Sequence, residues 1–221
     1  MSKHLQRDLK NLEQRLLDQS SMVEHMVYQA CQSLREMSTE LLAEVLRDEE
    51  VVNNHEVEIE EECLKILALH QPVAVDLRRV ATVLKINNDL ERIADLAVNI
   101  GERTRNLVMF PDFNAPENLD DMAEVTISMV RDALDAFVRL DVEVARDVCL
   151  RDDVVDNLNR EVIDMLHEMV HQHPSVVEPA ICFFSASRHV ERIGDHATNI
   201  AEDVIYLVDG EITRHRHEAS V

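Results

Sequence analysis

Apolar residues recur along this chain at the three- and four-residue spacing of helices. Leu5, Leu9, Leu12 and Leu16, then Met22, Met26, Ala30 and Leu34, line one face of a predicted helix over about Leu5 to Leu41. A second helix is predicted from about Leu42 to Leu69, ahead of His70, Gln71 and Pro72, and a third from about Val75 to Val108. The segment Phe110 to Asn118 carries Pro111, Asn114 and Pro116 and reads as a linker. The pattern then returns. A fourth helix covers about Leu119 to Leu140 and a fifth Val142 to Val170; His171 to Ser175, with Pro174, makes a turn; a sixth runs from Val176 to Val208, with Gly210 as its stop signal. Residues 211–221 form a polar tail expected to fray. The predicted fold is all-α: six long helices in two tandem three-helix bundles, 1–109 and 119–210, joined by the linker 110–118.

The two halves share more than a period. ERIADLAVNIGE at 91–102 matches ERIGDHATNIAE at 191–202, with eight of twelve positions identical. Upstream, EEVVNN at 49–54 matches DDVVDN at 152–157. The offsets are 100 and 103 residues, and the three-residue difference falls at the turns around Pro72 and Pro174, where length changes cost little. Two unrelated helices can share apolar spacing, but sharing Glu, Arg, Asp and Asn at the same places points to an internal duplication.

Composition narrows the function. With 3 Gly and 5 Pro, long uninterrupted helices are expected, and neither a glycine loop for phosphates nor a nucleophile elbow can be assembled. No Trp, 2 Tyr and 5 Phe leave the core to Leu, Val, Ile, Met and Ala. A formal net charge of −22 excludes nucleic acid as a partner and disfavours an anionic membrane surface, while admitting cations and basic proteins. The longest run without Asp, Glu, Lys or Arg is ten residues, too short to span a bilayer, and the polar start holds no signal core, so a cytoplasmic protein is expected. Cys31, Cys63, Cys149 and Cys182 have no paired spacing and read as reduced, small apolar residues.

Candidate chemistry lies in the repeated stretch. On a helical projection Glu91, Asp95, Asn99 and Glu102 fall within about 80° of arc, opposite Ile93, Leu96, Ala97 and Ile100. Glu191, Asp195, Asn199 and Glu202 stand likewise against Ile193, Ala197 and Ile200, so both acidic stripes are expected on outer faces. The second helix adds Glu49, Asn53, Glu56 and Glu60; its counterpart keeps Asp152 and Asp156 but carries Asn159 and Ile163 later. Facing stripes would make a shallow cup of carboxylate and amide oxygens, a donor set for hard or borderline cations. For one helix alone, a charged stripe is ordinarily a solvated face; its duplication together with Asn and Arg favours ligands. A ferritin-like centre needs two Glu-x-x-His pairs, and only Glu168 with His171 fits. His167, His171 and His173 surround a turn, and His189 and His196 are at most auxiliary ligands.

QPVAVDLR at 71–78, ERIADLAVNI at 91–100, ERIGDHATNI at 191–200 and YLVDGEITRH at 206–215 resemble the signatures of the PhoU family over nearly the whole chain. That resemblance implies two tandem three-helix units carrying multinuclear iron or zinc at Glu/Asp-x-x-x-Asp motifs. By position it implicates Glu91 and Asp95, Glu191 and Asp195, with Glu49, Asp152 and Asp156 on the partner helices. Asn53 stands where an acid is expected, and HPSVVEPA at 173–180 departs from QPVAVDLR. The resemblance also implies a non-enzymatic, often homodimeric accessory regulator of phosphate uptake, peripheral to the membrane. Such a protein acts with a phosphate ABC transporter and a sensor histidine kinase and represses the phosphate-starvation response. A metal-storage or metal-responsive protein is the alternative; a carboxylate-metal enzyme would need an enclosed pocket with a buried base.

Overall fold

The computed structural model describes residues 3–113, 116 and 118–210. Six α-helices follow in order: α1 Lys3–Glu36, α2 Thr39–His70, α3 Ala74–Leu107, α4 Asn118–Arg139, α5 Val142–Gln172 and α6 Val177–Asp209. A single 3₁₀ turn, Pro174–Val176, precedes α6, and no strand occurs among the described residues. The helices pack as two three-helix bundles, α1–α3 and α4–α6, joined along α3 and α6 and, to a lesser extent, along α1 and α4.

The first turn differs from the sequence expectation by a few residues, for a local reason. Helix α1 stops at Glu36 rather than near Leu41 because Met37 turns left-handed (φ 51°) and Ser38 N–H reaches back to the Ser33 carbonyl at 3.0 Å. Ser38 then caps α2, its hydroxyl accepting from the Leu41 N–H at 3.3 Å. The second unit repeats the device: Leu140 is left-handed (φ 55°), Asp141 N–H bonds the Ala136 carbonyl at 3.0 Å, and the Asp141 carboxylate accepts from Glu143 and Val144. The turns before α3 and α6 are not copies. Gln71 and Ala74 both take positive φ in the first, whereas His173 (φ −133°) leads into the 3₁₀ turn in the second. His171, expected in that turn, is the last full turn of α5 instead.

The apolar stripes meet inside as their spacing requires. Ile93, Ala97 and Ile100 are fully buried, and so are Ile193, Ala197 and Ile200. Gly101 allows α2 close to α3, since a Cβ there would stand 2.9 Å from Leu42 Cδ1. The chain leaves α3 through a turn in which Phe113 N–H bonds the Phe110 carbonyl at 3.0 Å, and the Phe113 ring packs 6.2 Å from that of Phe183 on α6. The connection is thereby pinned to the second unit.

The α3–α6 seam is antiparallel. Lys85 Nζ meets Asp203 Oδ1 at 2.9 Å and lies 5.3 Å from the centre of the Tyr206 ring; Asp89 Oδ1 meets His196 Nδ1 at 2.8 Å. This register puts residues 91–102 beside 185–197, so the two repeated stretches overlap only at their N-terminal ends.

Candidate functional site

Buried anchors under each stripe aim the acids. On α2, Val52 and Ile59 are buried, which turns Glu49 and Glu56 toward α3; on α3, Ile93 and Ile100 do the same for Glu91, Asp95 and Glu102. The result is one field of five carboxylates. Partial burial pushes the Glu49 carboxyl above its ordinary range, and Asp95, Glu102 and Glu50 push it further. Glu91 is raised by partial burial and then by Asp95, eased by Arg92, and raised again by Glu56 and Glu49. Glu56, raised by burial and Glu60, is positioned by Asn87, whose Nδ2 donates to the Glu56 carbonyl at 2.9 Å. Compensation is thin: Arg92 reaches Glu91 at 3.4 Å and Asp95 at 3.7 Å but remains 57% exposed. Asn53 is exposed on this face.

The second unit builds the same face with different parts. Val155 and Val162 anchor α5, and Asp152 and Asp156 face Glu191 and Asp195 on α6. The Asp195 side chain reaches solvent, yet partial burial and the charges of Glu191, Asp152 and Asp156 push its carboxyl up to about 6, with His196 tempering the rise. Asp152 is raised by burial and Asp156, and partly relieved by the Thr198 hydroxyl, which donates to its Oδ1 at 3.4 Å. Glu191 Oε1 accepts from Arg188 at 2.6 Å; Glu191 Oε2 is shut off from solvent with no hydrogen-bond partner. Buried Asn159, at the position of Glu56, likewise leaves its Oδ1 unpartnered. The Cys149 thiol is pushed up to about 11 by burial and then by Glu202 and Asp152, which places the sulfur beside this cluster.

The structure thus brings together Glu49, Glu91, Asp95 and Glu102 in one unit, and Asp152, Asp156, Glu191, Asp195 and Glu202 in the other. Asn199 lines a groove with Leu84, Lys85, Asn88 and Asp89 instead, at the edge of the seam. Asn99 is half-buried. Thr198 and Cys149 belong to these faces without having been singled out as ligands, whereas Glu56 was part of the predicted second stripe. Cys149 lies one turn before Asp152, and Thr198 projects into the same arc as Glu191, so both were within reach of the helical projection.

Among the described residues no three His, Cys, Asp or Glu side chains are grouped so that they could hold a metal ion as they stand. The donors are open carboxylates, and their raised carboxyls and the orphaned Glu191 oxygen are what a divalent cation would relieve.

A duplicated six-helix protein with one carboxylate face per repeat is the class that fold and site define. The PhoU domain model matches the chain twice, over residues 16–104 and 119–204, so the chain belongs to the PhoU family. It is similar to a phosphate-specific transport system accessory protein PhoU homolog of Clostridium acetobutylicum, 32% identical over 92% of this chain and 94% of that protein. Among solved structures it resembles the crystal structure of PhoU from Pseudomonas aeruginosa: TM-score 0.87, 34% identity, 93% of this chain and 99% of that one. A phosphate transport system regulatory protein PhoU from Streptococcus pneumoniae superposes with a TM-score of 0.88 at 25% identity, covering 94% and 98%. Among the described residues no helix is long and apolar enough to cross a membrane.

Proposed function

We propose that this chain is a cytoplasmic accessory regulator of phosphate uptake, acting without catalysis between a phosphate ABC transporter and a sensor histidine kinase to repress the phosphate-starvation response. Family membership supports the phosphate role, and the relatives' names carry the association with a transport system. One observation supports metal ions as part of the device: each repeat gathers carboxylates whose charges oppose one another, culminating in the Asp195 carboxyl held at about 6. Glu91, Asp95 and Glu49 would hold ions in the first unit; Glu191, Asp195, Asp152 and Asp156 would do so in the second. Iron or zinc suits such donors. A bound divalent ion would supply positive charge that offsets the repulsion among these acids, converting a repulsive face into a docking surface of defined shape.

Open, water-accessible faces favour regulation over storage, which needs enclosure. Exposed Leu69 and Val73 (69% and 72% exposed) project around the α2–α3 turn and offer apolar contact for a protein partner, whether a second copy or the transporter.

The test combines content and output. Protein purified without chelator and soaked in Zn²⁺ or Fe is expected to carry more than one ion per chain by elemental analysis. Asp95→Asn with Asp195→Asn is expected to remove most of it, fold normally, and derepress a phosphate-starvation reporter in cells lacking the native protein. Full metal content in the double variant would overturn the ligand assignment. Wild-type repression at normal expression would separate the metal from the regulation.

A further inference from the structure

The α3–α6 seam is built from two copies of one sequence running antiparallel, so each contact at one end has a mirror at the other, found by moving both residue numbers by 100. The end already described is neutralised: Lys85 pairs with Asp203, and Asp89 with His196. The mirror positions are Ser185 with Arg103 and His189 with Leu96. Where the first end places two acids, the second places a guanidinium and an imidazole; where the first places their bases, the second has a hydroxyl and a buried leucine.

The substituted end is left short of negative charge in a protein of net charge −22. No carboxylate pairs with Arg103 among the described residues, although most other arginines here have one; Arg103 Nε is shut off from solvent with no hydrogen-bond partner. His189 is half-buried. Its Nδ1 is equally without a partner, and its Nε2 stands 3.5 Å from Ser185 Oγ. Arg192 follows His189 by one turn on α6, and Arg103 occupies the seam position that repeats Asp203. Arg192 is exposed and makes no ion pair among the described residues, while the neighbouring Arg188 is engaged by Glu191. The first end also has an open groove, of ≈ 360 Å³, lined by Leu84, Lys85, Asn88, Asp89 and Asn199.

We propose that this second end of the seam is a binding site for a phosphate-class oxyanion, gripped by Arg103 from the first unit and by His189 and Arg192 from the second. A guanidinium fork with a further ring N–H and a hydroxyl presents several donors to several oxygens of one small tetrahedral anion, a better match than a single carboxylate. Two sources share that chemistry, free inorganic phosphate and a phosphoryl group carried on a partner protein. The site is separate from the acidic faces and requires no metal, so it goes beyond the reading above and can fail independently of it.

The experiment is calorimetric titration of the full chain, stripped with chelator and kept in chloride buffer, with inorganic phosphate and separately with a phosphoserine peptide. Saturable binding at one site per chain is expected. It is expected to weaken by at least about 10-fold in Arg103→Gln and in His189→Asp, and to persist in Asp195→Asn. His189→Asp restores the acid that the first end has, so it is expected to remove binding while keeping the melting temperature, which guards against a folding artefact. Binding of the peptide but not of free phosphate assigns the phosphoryl group to a partner and keeps the site. If neither probe binds the stripped chain, or both bind His189→Asp as tightly as wild type, the proposal is overturned.

Discussion

The two repeats keep one helix and vary the other. Glu91, Asp95 and Glu102 recur as Glu191, Asp195 and Glu202 on α3 and α6, over the same buried isoleucines. Across from them, α2 offers Glu49, Asn53 and Glu56, where α5 offers Asp152, Asp156 and Asn159. The first face therefore spreads its acids over two turns of α2, while the second concentrates shorter ones in a single turn and adds Thr198 and Cys149. Partial burial first, and then the concentrated charges of Glu191, Asp152 and Asp156, put the most displaced carboxyl, Asp195 at about 6, in the second unit. Duplicated sites can thus hold a common geometry on one element and be tuned separately through the facing one.

The largest effect expected tests the common part. Ile100→Ala and Ile200→Ala each remove a fully buried side chain and are expected to cost about 2–5 kcal/mol, read by chemical denaturation. Near-equal costs support equivalent cores; a tolerated change in one unit would show that the repeats pack differently. Metal content comes next. Asp195→Asn is expected to lower bound ions more than Asp95→Asn, because the second face has the acid pair Asp152 and Asp156. The opposite order would point to Glu56 as the better ligand in the first unit.

Acidity gives a smaller effect with a defined sign. Asp195 holds its proton up to about 6 in the fold, against an ordinary value of 3.8, so the folded state binds more protons across that window. Stability from this group is lost as pH rises through it, and the penalty is complete above about 6. In chelator, Asp195→Asn is therefore expected to melt higher than wild type at pH 7, with the gap closing toward pH 4. A pH-independent gap would show that charge is not the cause. The smallest effect is Thr198→Val, which copies Val98: a loss of about 0.5–1 kcal/mol, with Asp152 titrating higher by NMR.

The fold was largely legible because its signals are redundant: each buried stripe repeats over several turns, and the 91–102 stretch recurs at 191–202. The α1–α2 boundary was not, since Met37 adopts a left-handed turn without the glycine that would advertise it. The carboxylates of the candidate site were legible from projection on single helices. Thr198, Cys149 and the Asp89–His196 pair were harder, because each takes its meaning from a neighbouring helix whose register the sequence does not state. The groove position of Asn199 follows from the same cause: at the border of two faces, the seam partner decides which one it serves.

The antiparallel seam also bears on how the polypeptide could be divided. Lys85–Asp203, Asp89–His196 and the packing of α3 on α6 join the halves without using the connection between α3 and α4. Phe113 reaches Phe183 from the first half's own end, so a break just after it leaves that contact available. The chain is accordingly a natural split protein: co-expressed halves, each a complete hairpin-and-return of three helices, should find one another and reassemble, turning a covalent duplication back into the pair of separate subunits its sequence repeat describes.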